Sequence, residues 1–187
     1  MPNLARWALA VPLFSSLLVL GCDFKPRRNM TSASPGLSPA QATTVEEMGL
    51  IGQALVSWQE AKVNQPSSGS PPPCEGVSSI EGPDAVRVFA LGKIPHVTWE
   101  ELKAELVPRY LQALPLRDAW GKAYDFRVNL LNPKCPDAIS LRSAGADGSF
   151  GYAHYRQIGY DPADEDQDLV WASGNFVRFP DPKMAKR

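Results

Sequence analysis

The hydrophobic period of this chain changes once, near Lys122, and that change fixes the order of its elements. Before it, Met48, Ile51, Leu55 and Trp58 recur three, four and three residues apart, one face of a helix over 44 to about 62. Thr44 and Glu47 form a capping-box sequence at its start. Thr98-Trp99-Glu100-Glu101 opens a second, shorter helix with Trp99, Leu102 and Leu106 inward, and Pro108 ends it. After Lys122 the period is two. Residues 124–129, 138–143 and 168–172 read as strands, and Ser173-Gly174 turns the last into 176–179 as a tight hairpin. Residues 86–90 read as one further short strand. The expected fold is α+β: an N-terminal helix and a short second helix packed on a small antiparallel sheet. Gly49 and Gly52 each cost the first helix about 1 kcal/mol relative to Ala. Either they let another backbone come close, or the helix is marginal and held by packing.

The N-terminus constrains the compartment. Residues 7–20 are uncharged and mostly apolar, follow Arg6, and end in Gly21-Cys22. Fourteen residues rise about 21 Å as a helix, short of the ~30 Å hydrocarbon core. The run reads as the apolar region of a signal peptide, not as a membrane span. Leu18-Val19-Leu20-Gly21-Cys22 resembles the lipobox of bacterial lipoproteins, which implies cleavage before Cys22 and lipidation of its thiol. The alternative is an ordinary secretory signal with a chance cysteine at its end. The resulting organisation is a signal peptide over 1–21, a lipidated cysteine and flexible tether over 22–43, and one domain over 44–187. The expected location is the bacterial cell envelope, lipid-anchored and facing the periplasm. Lys25, Arg27 and Arg28, close behind the anchor, would each gain about 1 kcal/mol from anionic headgroups.

Cys74 and Cys135 then remain as an even pair in an oxidising compartment. Neither belongs to a CxxC, and only His96 and His154 exist to join them in a zinc site. A disulfide is the plain reading, and two free thiols the alternative. Lys plus Arg number 19 against 20 Asp plus Glu, a net charge of −1. That balance argues against nucleic acid, whose binders need a basic face.

Three segments carry a further resemblance. Leu114-Pro115-Leu116-Arg117-Asp118-Ala119-Trp120-Gly121-Lys122-Ala123-Tyr124 resembles the Leu-Pro-x-Asp-Pro-Trp-Gly-x-Pro-Tyr segment of the major pseudopilin of type II secretion. The stretch from Ile139 to Gly148, ending Ser143-Ala144-Gly145-Ala146-Asp147-Gly148, is similar to that family's strand ending in Ser-x-Gly-Ala-Asp-Gly, and Asp168-Leu169 stands where the family has Asp-Ile. The helix over 44–62 occupies the place of the soluble half of the family's long N-terminal helix. The resemblance implies a calcium site, with Asp147 and Asp168 giving side-chain oxygens and Leu141 and Ser143 giving main-chain carbonyls. A turn-capping role for Asp147 is the alternative. Pseudopilins build filaments through an apolar helix kept after processing. Here the apolar run precedes Cys22, so a filament-forming subunit is not expected.

These residues point to a non-enzymatic envelope lipoprotein, an assembly or interaction module related to type II secretion. Its expected partners are the membrane, through the lipid anchor, and secretion-system or envelope proteins. Two alternatives stand beside it. One is a periplasmic small-ligand-binding lipoprotein using Tyr152, Tyr155 and Tyr160. The other is a hydrolase using the loop over 149–167, which holds Asp161, Asp164, Glu165 and Asp166. The chain has no Gly-x-Ser-x-Gly and no His-Glu-x-x-His to support a hydrolase.

Overall fold

The structure is a computed structural model that describes residues 37–66, 69–81, 86–152, 154–157 and 160–179. The expected lipidation site, Cys22, lies outside them. Helix α1 spans Pro39–Val63 and starts earlier than Thr44. Ser38 caps it, accepting from the Gln41 N–H at 3.2 Å, while the Gln41 side chain accepts from the Ser38 N–H at 3.0 Å. Pro39 follows the cap, where its missing N–H costs nothing. Thr44 and Glu47 are therefore released from capping and face other elements. The Thr44 hydroxyl accepts from the Ala119 N–H at 3.2 Å, and Glu47 accepts from the Tyr124 phenol at 2.9 Å.

Strands β1 (Ser78–Glu81) and β2 (Val86–Phe89) come next, then helix α2 (Trp99–Leu106) with its expected Thr98–Glu101 capping box. Strands β3 (Asp125–Val128), β4 (Ile139–Ser143), β5 (Tyr155–Arg156), β6 (Leu169–Ala172) and β7 (Asn175–Arg178) complete the chain. The α+β class is as expected, with two antiparallel sheets rather than one. The first has the order β1-β2-β5 and the second β3-β4-β6-β7. β1 escaped notice because Ser78-Ser79-Ile80-Glu81 is largely exposed and lacks apolar alternation. β5 is two residues long inside the acidic loop, too short to show a period. Ser173 and Gly174 take positive φ (51° and 87°) in the β6–β7 turn, the geometry a two-residue hairpin needs.

The alternation along β4 and β6 builds three layers. Ile139, Leu141, Leu169 and Trp171 face α1 and join Met48, Ile51, Leu55 and Trp58 in the main core. Val170, Ala172 and Val177 face the other way, onto Phe89 and Tyr155 of the three-stranded sheet. The four-stranded sheet is thus covered on both faces.

Gly52 sets how closely α1 lies on that sheet. A Cβ there would fall 2.3 Å from Cε2 of Trp171, closer than atoms can pack, so the indole occupies the space a side chain would need. The close neighbour is a side chain, not a backbone. At Gly49 the nearest atom, on Phe176, would be 3.9 Å away, an ordinary contact.

Cys74 and Cys135 are disulfide-bonded with Cα atoms 5.4 Å apart, tying the Pro-rich segment after α1 to the approach to β4. Nearby, the Asn132 amide donates to the Pro72 carbonyl at 2.7 Å. Among the described residues no helix is long and apolar enough to cross a membrane.

The two glycines predict opposite outcomes. Gly49→Ala should stabilise by up to about 1 kcal/mol through helix propensity. Gly52→Ala should destabilise by about 1–3 kcal/mol through overpacking against Trp171. Urea unfolding of both variants checks the pair; equal and favourable effects would show that Trp171 does not rest on Gly52.

Candidate functional site

The residues expected to hold a cation gather unevenly at one end of the four-stranded sheet. Asp168 immediately precedes β6, whose Leu169 is in register with Ser143 at the end of β4. The two strands pair as neighbours. Asp168 is 3% exposed. Its Oδ2 accepts from the Tyr155 phenol at 2.7 Å and from the Gly151 N–H at 3.1 Å, while its Oδ1 is buried with no donor among the described residues. Burial raises the Asp168 pKa above the ordinary carboxylate value; the Tyr155 and Gly151 donors, and then the charges of Arg142 and Arg178, oppose the rise.

Ser143 donates its hydroxyl to Asp118 Oδ2 at 2.5 Å. Leu141 sits inside the ladder, in register with Phe126 on one side and Trp171 on the other. Asp147 stands in an exposed turn, where Oδ1 accepts from the Ser149 N–H at 2.8 Å. Its other oxygen makes no hydrogen bond among the described residues. Gly145 (φ +66°) lets the returning loop press close: a Cβ there would lie 2.5 Å from the Glu165 carbonyl, which accepts from the Ala146 N–H at 2.8 Å. Among the described residues no three His, Cys, Asp or Glu side chains converge on one point. The oxygen that fits a hard cation is Asp168 Oδ1, a buried carboxylate oxygen without a donor.

Asp118, which sequence reasoning passed over, organises the same corner. It is 6% exposed, and its Oδ1 accepts from the Trp120 N–H at 3.1 Å and the Lys122 N–H at 2.8 Å. Gly121, at φ +77°, completes that turn. The Trp120 indole N–H donates to Glu165 of the acidic loop at 2.9 Å. Other acids of that loop build local turns: Asp161 accepts from the Ala163 N–H and Asp164 from the Asp166 N–H.

A buried ionic relay runs between the sheets beside this corner. Arg142 of β4 is 8% exposed; its Nε donates to Asp125 Oδ2 at 2.7 Å, and its Nη2 pairs with the same oxygen. Arg127 donates to Asp125 Oδ2 as well, at 2.8 Å. Arg142 Nη1 donates to the Tyr155 phenol at 2.9 Å, and that phenol donates onward to Asp168. Burial, then the Asp168 carboxylate, holds the Tyr155 phenol well above its ordinary pKa. The Phe150 ring covers the Arg142 guanidinium at 4.0 Å.

Of the three tyrosines expected to line a ligand site, Tyr155 and Tyr160 are core residues at 1% and 2% exposure, and only Tyr152 is open. Burial pushes the Tyr160 phenol up to about 12. His96 lies 3.7 Å from Asp125, and His154 is exposed beside Tyr155. Comparisons with protein-family models, with curated proteins and with solved structures find no match to this chain.

The Asp168 environment predicts a pH signature. An acid whose folded pKa exceeds its unfolded one contributes stability that is present below the unfolded value, near 3.8, and lost as pH rises through the folded value. Asp168→Asn keeps an acceptor for Tyr155 and Gly151 without the charge. Its stability relative to the original protein should therefore increase as pH rises through the mildly acidic range. Denaturant melts at a series of pH values check this, and a pH-independent difference would contradict it.

Proposed function

We infer that this chain is a non-enzymatic cell-envelope lipoprotein, anchored through Cys22, whose pseudopilin-like domain serves as an assembly or interaction module related to type II secretion. The observation that carries the reading is the meeting of its three motif segments at one corner. Asp118 of the Trp-Gly segment takes the Ser143 hydroxyl of the Gly-Ala-Asp-Gly segment, and Ser143 is in register with Leu169, next to Asp168. The disulfide accords with an oxidising compartment. Most hydrogen bonds at the corner shape its own turns and loops: Asp118 takes a turn and a serine, Asp168 Oδ2 a phenol and an amide, and Asp147 Oδ1 its own turn. Such an arrangement holds a surface in shape and leaves no nucleophile–base pair poised for chemistry.

Calcium belongs to the same reading. Asp168 Oδ1 and the unbonded oxygen of Asp147 are the carboxylate oxygens this corner offers, and a divalent ion there would offset the cost of burying Asp168. At a hundred times its dissociation constant the ion stabilises the fold by about 2.7 kcal/mol. A chelator should then lower the melting temperature by several degrees, and Asp147→Ala should abolish that sensitivity. Identical melting with calcium and with chelator would leave Asp147 as a turn residue only.

The anchor is tested separately. In cells given labelled fatty acid, the original chain should carry label and Cys22→Ser should persist as a larger, unlabelled precursor. Equal labelling of the two would end the lipoprotein reading.

A further inference from the structure

On the far side of the molecule from α1, a cavity of about 480 Å³ opens between β2, β5 and β7. Glu81, Val88, Tyr152, His154, Arg156 and Arg178 line it. That volume lies within the range of sites for metabolite-sized ligands. Among the described residues its charge is unbalanced: two guanidiniums face one carboxylate, and the Glu81 carboxylate already accepts from the Ser79 hydroxyl at 3.1 Å.

The two arginines are placed differently, and the difference is informative. Arg178 is fixed. Its Nη2 donates to Gln167 Oε1 at 2.9 Å, and its guanidinium lies 5.7 Å from the ring centres of both Tyr152 and Tyr160. It forms no ion pair within 4 Å among the described residues, although it is half-buried. Arg156 reaches the cavity from β5, held there by backbone pairing with Val88. Its side chain has neither an ion pair nor a hydrogen bond among the described residues. Other arginines of the fold, Arg87, Arg127 and Arg142, are each paired with an aspartate. The cavity thus brings together two guanidiniums, Arg156 and Arg178, that form no ion pair among the described residues, beside an aromatic ring that is 61% exposed at Tyr152 and an apolar floor at Val88.

Guanidinium forks match the paired oxygens of carboxylate and phosphate groups. We propose that this cavity binds a small organic oxyanion, its carboxylate or phosphate group held between Arg156 and Arg178 and its body against Tyr152 and Val88. Arg178 lies close enough for its charge to act on Asp168, so the anion test is run in calcium-free buffer, where its outcome is independent of the chelator experiment. Donor chemistry also separates this ligand from a cation: Asp168 and Asp147 offer oxygens, whereas the cavity offers N–H donors.

Isothermal titration calorimetry of the full chain tests it, with inorganic phosphate in one arm and citrate in the other. A titration of sodium chloride at matched ionic strength provides the baseline. At least one of the two anions should bind saturably at one site, and whichever binds more tightly identifies the headgroup. Arg156→Ala should weaken that binding roughly tenfold or more, because it removes an exposed side chain that carries no fold contact. Arg109→Ala makes the same charge change on an exposed residue outside the cavity and should leave binding unchanged. Absence of saturable binding for both anions would overturn the proposal. So would equal binding by Arg156→Ala and the original protein, or equal weakening by Arg109→Ala.

Discussion

A buried guanidinium near the end of a five-residue strand ties the parts of this molecule together. Arg142 has left water almost entirely, and an isolated charge in that position would cost several kcal/mol. Asp125 from β3 and the phenol of Tyr155 from β5 meet that cost. Asp125 lies in the same sheet as Arg142, but Tyr155 belongs to the other. The Arg142–Tyr155 hydrogen bond is therefore a buried polar link between the sheets, which also meet through apolar contact and, at the surface, through Asp137 beside β4, paired with Ser78 of β1 and Arg87 of β2. The same phenol then donates to Asp168, so the link passes to the loop that enters β6.

The helix side obeys a different constraint. There the contact is apolar, and its spacing is set by Trp171 lying where a Cβ of Gly52 would be. Packing α1 this close brings Thr44 and Glu47 onto the Trp-Gly segment, where they receive the Ala119 N–H and the Tyr124 phenol. Asp118 transmits that position to Ser143 and so to the end of β4. The corner is built by contacts between elements far apart in sequence, which explains why its parts look unremarkable one at a time.

Regular elements with a clear period were legible in the sequence. The strands over 124–129, 138–143 and 168–172 and the second helix fall within a residue or so of their observed bounds, because each has alternation or a capping box to mark it. The α1 start was misread because two capping patterns compete, and Ser38 followed by a proline prevails over Thr44. Arg142 was invisible for a deeper reason. Alternation along Ile139-Ser140-Leu141-Arg142-Ser143 assigns Arg142 to a solvent face, and only the three-stranded sheet, whose β1 and β5 have no period, turns that face inward. Asp118 sits in a quoted motif, yet nothing local says that its carboxylate reaches Ser143, 25 residues on. The pairing of Cys74 with Cys135 was legible from counting and compartment alone.

The central claim is that the Arg142–Tyr155 contact couples the two sheets, and a double-mutant cycle measures that coupling most directly. Arg142→Met, Tyr155→Phe and the double variant would be unfolded in denaturant alongside the original chain. The account predicts that the double variant is more stable than the sum of the single losses implies, by about 0.5–3 kcal/mol, the range for residues in one hydrogen-bonded network. Single losses that add to within about 0.3 kcal/mol would contradict it.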